Sequence, residues 1–401
     1  MRVTHVITRL IVGGAQENTI ASVLGLRKKP GLEVDLISGP TSGPEGSLEP
    51  LLSPYPGLLQ TVAELVRPVQ PAKDGKAFRL LCERFRSKRP IIVHTHSGKA
   101  GILGRLAAAR VGVPIIVHTI HGPSFGPFQG PIPNLAFRFA ERLAGKVTTH
   151  FVVVAEAMAR QYLAAGISHK SQYTRIFSGF ALEPFLAATN DLQLRAKYNL
   201  LPEDFVVGKI ARLFELKGHD DLLAVAPALV RQCPRIKFLL VGDGEWRNRL
   251  EDRVRSLGLQ GYFVFTGLVP PQAVSSLVGI MDVLVHLSLR EGLARALPQA
   301  LAAGRPVVAY DCDGAGEVCL DNQSGFLVPC GDLAQLTDRV LRLSHDRGLC
   351  ERLGQWGQQF VREHFGVERM VDDLHLLYLR LAREASIPSD VAPKMERAAS
   401  I

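Results

Sequence analysis

Short apolar runs recur along this chain of 401 residues. RVTHVI, EVDLIS, IIVHTH, PIIVHTI and HFVVVAE fall in the first half, separated by turns and by stretches with helical spacing of apolar residues. That alternation predicts a parallel sheet with helices on both faces. A polar, turn-rich segment at 186–204, LAATNDLQLRAKYNLLPED, reads as a linker. A second series follows: FVVGKIAR, KFLLVGDG, YFVFTG, VLVHLS, PVVAYD and GFLVPC. The expected architecture is α/β, with two doubly wound domains at 1–190 and 200–365. Leu374, Leu377, Tyr378 and Leu381 repeat at helical spacing, so a helix over 366–385 is expected to return to the first domain. Residues 386–401 read as a disordered tail. Ligands of such sheets bind outside the carboxyl ends of the strands. With two domains, the expected site is the cleft between them.

Composition narrows the class. At 47% hydrophobic residues, both domains can bury ordinary cores. No apolar run reaches membrane-spanning length, and the start MRVTHVITRLIVGGAQ lacks a signal-peptide core. Six cysteines form no C-x-x-C pair, which argues against a zinc site or a disulfide framework and suits a reducing cytoplasm. The net charge of +9 is uneven. Residues 1–200 carry 24 basic and 12 acidic side chains, and residues 201–401 carry 23 and 26. A basic first half suits an anionic substrate or membrane surface; a solvated basic surface is the plain alternative.

Four stretches carry candidate chemistry. Gly13 and Gly14 follow the first strand and open a helix, where backbone N–H groups face an anion; a simple tight turn is the alternative. In GKIARLFELKGHDDLL, Arg212 and Lys217 lie between a strand end and a helix start. Arg grips phosphate through paired N–H bonds and Lys supplies a compact charge, so a diphosphate fits there. In REGLARALPQALAAGRPVVA, Glu291 and Gly292 follow a strand, and a helix is expected to begin near Ala294. The amides of Ala294, Arg295 and Ala296 then lack intrahelical acceptors. Gln299, eight residues on, is expected two turns along the same line as Glu291. His121 ends a strand in VHTIHGPSFG, where it could donate to a sugar oxygen; a core or surface histidine is the alternative. His94 and His96 share the strand-end placement, with Gly98 and Lys99 opening another helix. VGDGEW has Arg247 where a dinucleotide fingerprint needs its third glycine, and no G-x-x-x-x-G-K-[ST] loop or H-E-x-x-H occurs.

Taken in order, these stretches resemble the retaining glycosyltransferases of family four, over about residues 1–385. The carrying segments are GGAQ, HTIHG, VVAEAMARQYLAAGI, IFSGFALEPF, GKIARLFELKGHDDLL, LLVGDGEWRNRLE, VFTGLVPPQAV and LSLREGLARALPQALAAGRPVVAYDCDGAGEV. The resemblance implies the GT-B fold, two Rossmann-like domains facing a central cleft. It implies a metal-independent reaction with no cofactor beyond a nucleotide-sugar co-substrate, a UDP- or GDP-sugar. By position, Arg212 and Lys217 would grip the donor diphosphate. Glu291 would meet the transferred sugar, with Gly292 and the amides of Ala294, Arg295 and Ala296 beside it. Gly14 would approach the phosphate, His121 the sugar, and Leu268 and Val269 the base.

The sequence departs from that family at Gln299, where a second Glu contacts the nucleotide ribose. The swap keeps length and one acceptor but loses charge, at roughly 1–2 kcal/mol of donor binding. Ala155 and Ser178 also stand where Ser and Asn are common. The acceptor expected is a glycan or lipid-linked glycan of the cell envelope or an exopolysaccharide, and nucleic acid is not an expected partner. The basic stretch 76–90, KAFRLLCERFRSKRP, sets Phe78, Leu81, Cys82 and Phe85 on one face and is a candidate for peripheral contact with an anionic membrane; a packed helix with a solvated face is the alternative. The competing functions are a non-catalytic nucleotide-sugar-binding homologue and a nucleotide-sugar epimerase of the same fold.

Overall fold

The computed structural model describes residues 1–43, 46–126 and 128–387. The chain forms two compact units, one from Met1–Phe180 with the segment from Val367 onward, the other Ala181–Gly366. The tail expected to be disordered falls outside the described residues from position 388 on.

In the first unit the strands are β1 (Arg2–Ile7), β2 (Glu33–Ser38), β3 (Leu59–Thr61), β4 (Ile92–His96), β5 (Ile115–Ile120), β6 (His150–Val153) and β7 (Tyr173–Arg175). They pair in the order β3-β2-β1-β4-β5-β6-β7, all parallel. The helices between them are α1 (Gly14–Leu26), α2 (Pro71–Lys88), α3 (Gly98–Arg110), α4 (Pro131–Gly145) and α5 (Glu156–Ala164). Both sheet faces are covered. Val3 and Ile7 of β1 point into one core with α1, while Val6 points into the other with α2 and α3, as strand alternation requires.

The second unit opens with α6 (Glu183–Leu186) and α7 (Leu192–Lys197). Strands β8 (Phe205–Ile210), β9 (Ile236–Val241), β10 (Phe263–Phe265), β11 (Val283–His286), β12 (Val307–Tyr310) and β13 (Gly325–Val328) follow. Between them lie α8 (His219–Gln232), α9 (Arg247–Ser256), α10 (Val274–Gly279) and α11 (Ala296–Ala302), and after them α12 (Leu333–His345) and α13 (Arg347–His364). The parallel order is β10-β9-β8-β11-β12-β13. Numbered within the unit this is 3-2-1-4-5-6, so the winding reverses between β8 and β11 and leaves a crevice at their carboxyl ends.

The last helix, α14 (Val367–Glu384), belongs to the first unit. Met370, Val371, Leu374, Leu377, Tyr378 and Leu381 are buried in the core beneath α1. Each such side chain contributes roughly 1.5–3 kcal/mol. Gly25 of α1 makes the close approach possible, because a Cβ there would overlap the Val371 side chain.

The segment 186–204 is not a linker. It packs as part of the second unit through Arg195, which is buried at 1% exposure. Its guanidinium donates to the carbonyls of Leu201 (3.2 Å), Pro202 (3.3 Å), Asp204 (3.0 Å) and Ile280 (3.1 Å), and to the Asp282 carboxylate (2.9 Å). The helix carrying it is capped by Asp191, whose carboxylate accepts from the amides of Gln193 and Leu194. A polar sequence is therefore folded around one cation. Replacing Arg195 with Leu removes the donor shared by four carbonyls and takes one partner from the half-buried Asp282 carboxylate, which keeps the Val206 amide at 2.7 Å. We expect a loss of about 3–5 kcal/mol, read as a lowered denaturant midpoint; an unchanged midpoint would show that this network does not anchor the segment.

Candidate functional site

The second unit concentrates its chemistry at the β8/β11 crevice. The loop from β8 to α8 carries Arg212 and Lys217, and the loop after β11 carries Glu291. Lys217 Nζ and the Glu291 carboxylate form an ion pair, with side chains 15% and 30% exposed. Backbone bonds hold the two loops together: Leu289 N–H donates to the Leu216 carbonyl at 2.9 Å. Gly218 sits at φ +65°, and a Cβ there would collide with the Leu287 carbonyl oxygen, so only glycine suits this contact. From the β12 side, Asp313 accepts the Glu291 backbone N–H at 2.8 Å, and Gly314 N–H reaches the Gly292 carbonyl at 3.2 Å.

Burial pushes the Glu291 carboxyl up, but Lys217, His286 and hydrogen bonds from Lys217 and Ser288 outweigh it and hold it below its usual value. Glu291 is thus a fixed anion. Arg212 is exposed, its guanidinium 4.4 Å from the centre of the Phe214 ring, while its carbonyl meets His219 Nε2 at 3.0 Å.

One cation escaped the sequence reading. Lys209 lies on β8 at 1% exposure, and its ammonium has no hydrogen-bond partner among the described residues. Burial first, then the Lys217 charge, lowers its pKa to about 7, against the pull of Asp221 and Glu291. Alternation places it on the face of Phe205 and Val207, which are in the core. That parity is the signal that finds it: a lysine on a strand buried on both faces needs a reason. Asp313 was also missed, since nothing in the DCDG stretch at 311–314 marks one aspartate over the other.

The other expected residues fall as follows. The helix bearing Gln299 begins at Ala296, later than Ala294, and Glu291 lies in the loop before it. The two therefore do not share a helical line two turns long. The first turn runs from Leu297 N–H to the Ala294 carbonyl (3.2 Å) and from Gln299 N–H to the Arg295 carbonyl (3.1 Å). Gly292 and Ala294 are buried, and Arg295 and Gln299 half-buried. Leu268 is 68% exposed, on the loop after β10. Its neighbour Gly267 bridges to Gly242, the glycine after β9. The VGDGEW glycines serve backbone packing, with Leu213 N–H donating to the Asp243 carbonyl at 2.9 Å.

In the first unit, Gly14 is the first residue of α1, after an extended Gly13. His121 follows β5, half-buried, and burial lowers its pKa to about 4. It heads a histidine chain: His121 Nε2 meets His96 Nδ1 at 3.0 Å, and His96 Nε2 meets His5 Nδ1 at 2.9 Å. His94 bonds to Tyr378 of α14 and to Thr119. His5, His94 and His96 are near enough to share a metal ion, but every ring nitrogen of the three already has a partner, His5 Nε2 reaching Tyr378 at 3.4 Å. The chain is a satisfied polar core. Ser178 accepts from Asn18 at 2.9 Å. Ala155 caps α5 without a side-chain bond.

Two doubly wound units, the second with Lys217 and Glu291 at the crevice where its sheet reverses, define an α/β architecture, and comparison with known proteins identifies the family. The glycosyl transferase 4-like domain profile matches residues 13–174, and the glycosyl transferases group 1 profile matches 190–360. The chain belongs to the group 1 glycosyltransferases and has the GT-B fold. It is 27% identical over 322 residues to an Escherichia coli UDP-Gal:alpha-D-GlcNAc-diphosphoundecaprenol alpha-1,3-galactosyltransferase, covering 79% of this chain and 82% of that protein. It is 24% identical to the Staphylococcus aureus capsular polysaccharide biosynthesis glycosyltransferase CapM, over 90% and 93% of the two chains. The crystal structure of Anabaena HepE with UDP and glucose superposes with a TM-score of 0.78 at 20% identity, covering 94% and 99%.

Lys209 gives a signed pH prediction. Its folded pKa of about 7 lies below the usual 10.5. Between these values the unfolded chain binds the extra proton, so stability rises with pH across this window, and the full penalty is present below about pH 7. Lys209→Met should raise stability at pH 7 by a few kcal/mol and flatten that rise. Urea unfolding at several pH values checks it; an unstable Lys209→Met protein would mean the ammonium is compensated.

Proposed function

We propose that the chain moves a sugar from a nucleoside-diphosphate donor to a glycan or lipid-linked acceptor, with retention at the anomeric carbon and without a resident metal. The donor expected is a UDP- or GDP-sugar, and the setting is assembly of a cell-envelope or exopolysaccharide glycan on the cytoplasmic side. The observation that carries this reading is the Lys217–Glu291 pair at the β8/β11 crevice. The named activities of the E. coli and S. aureus relatives, and the UDP and glucose bound by HepE, support it.

In this reading the diphosphate draws Lys217 from Glu291 and is gripped by Lys217 and Arg212. Glu291 then accepts from hydroxyls of the transferred sugar. Gly292 and the amides of Ala294, Arg295 and Ala296 flank it, Leu268 borders the base and Gln299 the ribose. From the first unit, Gly14 serves the phosphate and His121 the sugar. As the glycosidic bond to the diphosphate breaks, negative charge grows on the leaving oxygen. Arg212 and Lys217 stabilise that charge, and it is larger in the transition state than in the bound donor, so the pair lowers the barrier. The departing diphosphate oxygen accepts the acceptor hydroxyl proton on the same face.

Calorimetry with UDP, GDP and ADP tests the reading. One nucleotide should bind, and Lys217→Ala should weaken it about tenfold or more, about 1.4 kcal/mol. Binding of none would sink the donor site. Binding without turnover on any acceptor would favour a non-catalytic homologue, and epimerised sugar formed without acceptor an epimerase. Gln299→Glu should tighten the same nucleotide about fivefold to thirtyfold, matching roughly 1–2 kcal/mol from a charge-assisted bond to the ribose; unchanged affinity would remove residue 299 from the ribose contact.

A further inference from the structure

Helix α2, which the sequence offered as a membrane-facing element, has its apolar face in the core. Ala77, Leu81, Cys82 and Phe85 are buried there, with Phe78 packed alongside. Helix α4 does the reverse. Ile132, Leu135, Phe139 and Leu143 are exposed at 82%, 67%, 68% and 47%. At 3.6 residues per turn, spacings of three, four and four set them in one row along the helix. The row is about 16 Å long at 1.5 Å per residue.

The opposite face of α4 is fixed. Glu141 is fully buried and pairs with Arg105 of α3 at 2.6 Å, both side chains at 0% exposure. Ala144 and Gly145 are buried on the same side. The helix is therefore seated by one face and shows a second apolar face outward. Contiguous exposed apolar surface of this kind marks an interaction site.

Charge selects the occupant. Arg138, Arg142 and Lys146 repeat every four residues in a row beside the apolar one. The only carboxylate on α4 is Glu141, and it faces inward. Between Glu83 and Glu156 the chain carries ten Lys and Arg residues, and Glu141 is the single acid among them. Long basic side chains bury their stems at an interface while keeping the charge in the headgroup layer. None of the described helices is long and apolar enough to cross a membrane. We propose that the first unit docks on an anionic lipid surface through α4, which lies in the interface with Ile132, Leu135, Phe139 and Leu143 inserted and Arg138 and Lys146 among the anionic headgroups, while Arg142 is held back by the Ala165 carbonyl at 2.6 Å. This surface is independent of the donor reading, because its binding is measured without nucleotide.

The test is co-sedimentation of the full chain with vesicles of phosphatidylcholine alone or with an equal part of phosphatidylglycerol. The wild type should pellet with the anionic vesicles, bind the neutral ones about tenfold more weakly, and be released by salt. Leu135→Ser with Phe139→Ser should lose about tenfold or more on the anionic vesicles. Arg138→Gln with Lys146→Gln should lose the preference for phosphatidylglycerol. All variants change exposed or half-exposed positions, and unchanged melting and nucleotide binding confirm their folding. A wild type that stays in solution, or an apolar double variant that binds like the wild type, overturns the proposal. So does a wild-type dimer in light scattering that the apolar variant converts to monomer, since α4 would then be a contact between copies.

Discussion

The site in the second unit depends on one ion pair. Lys217 and Glu291 come from loops 74 positions apart in sequence, and meet only because β8 and β11 are neighbours where the sheet reverses its winding. A parallel sheet cannot put tight hairpins at this end, so its loops are free to carry chemistry. Gly218 lets the loops touch, and Asp313 fixes the backbone under Glu291. The pair keeps both charges ordered and partly desolvated. Such a pair contributes little net stability, since desolvation offsets the attraction. Its value lies in pre-placing a cation and an acceptor a few ångströms apart.

The sheets were legible because parallel strands buried on both faces read as unbroken apolar runs, and every run quoted above became a strand. Arg212, Lys217 and Glu291 were legible for a related reason: polar residues directly after such runs must lie at carboxyl ends. What local pattern does not encode is partnership. The segment 186–204 is polar by composition, yet Arg195 turns it inward by satisfying four carbonyls and a carboxylate, partners as much as 87 positions away. Helices α2 and α4 are both amphipathic and basic, and periodicity cannot say which apolar face meets the sheet. Glu141 decides it for α4, through a buried arginine 36 positions earlier. Nor does spacing locate a helix start to within two residues: α11 opens at Ala296 rather than near Ala294, so Glu291 and Gln299 do not lie along one line two turns long.

The histidines show the same limit from the other side. Strand-end histidines suggest ligands, and His121 keeps that position. His5, His94 and His96 instead satisfy one another and Tyr378 within the core. Burial favours their neutral forms, and a neutral imidazole carries one donor and one acceptor, so a chain of them closes without an unpaired group. His96 therefore ties His121 to the centre of the sheet. The returning helix α14 completes the network with Tyr378, so the fold's last element helps orient a side chain at the end of β5.

Lys209 is the exception to this economy, a buried ammonium without a hydrogen-bond partner among the described residues, beside a lysine of the same charge. Core packing alone would select an aliphatic residue there, since an uncompensated cation destabilises the unit. Its cost is set by the crevice itself: the Lys217 charge opposes its protonation while Asp221 and Glu291 favour it. The buried lysine and the Lys217–Glu291 pair are therefore one connected set of charges, and a change in either loop alters the penalty that the strand beneath them carries.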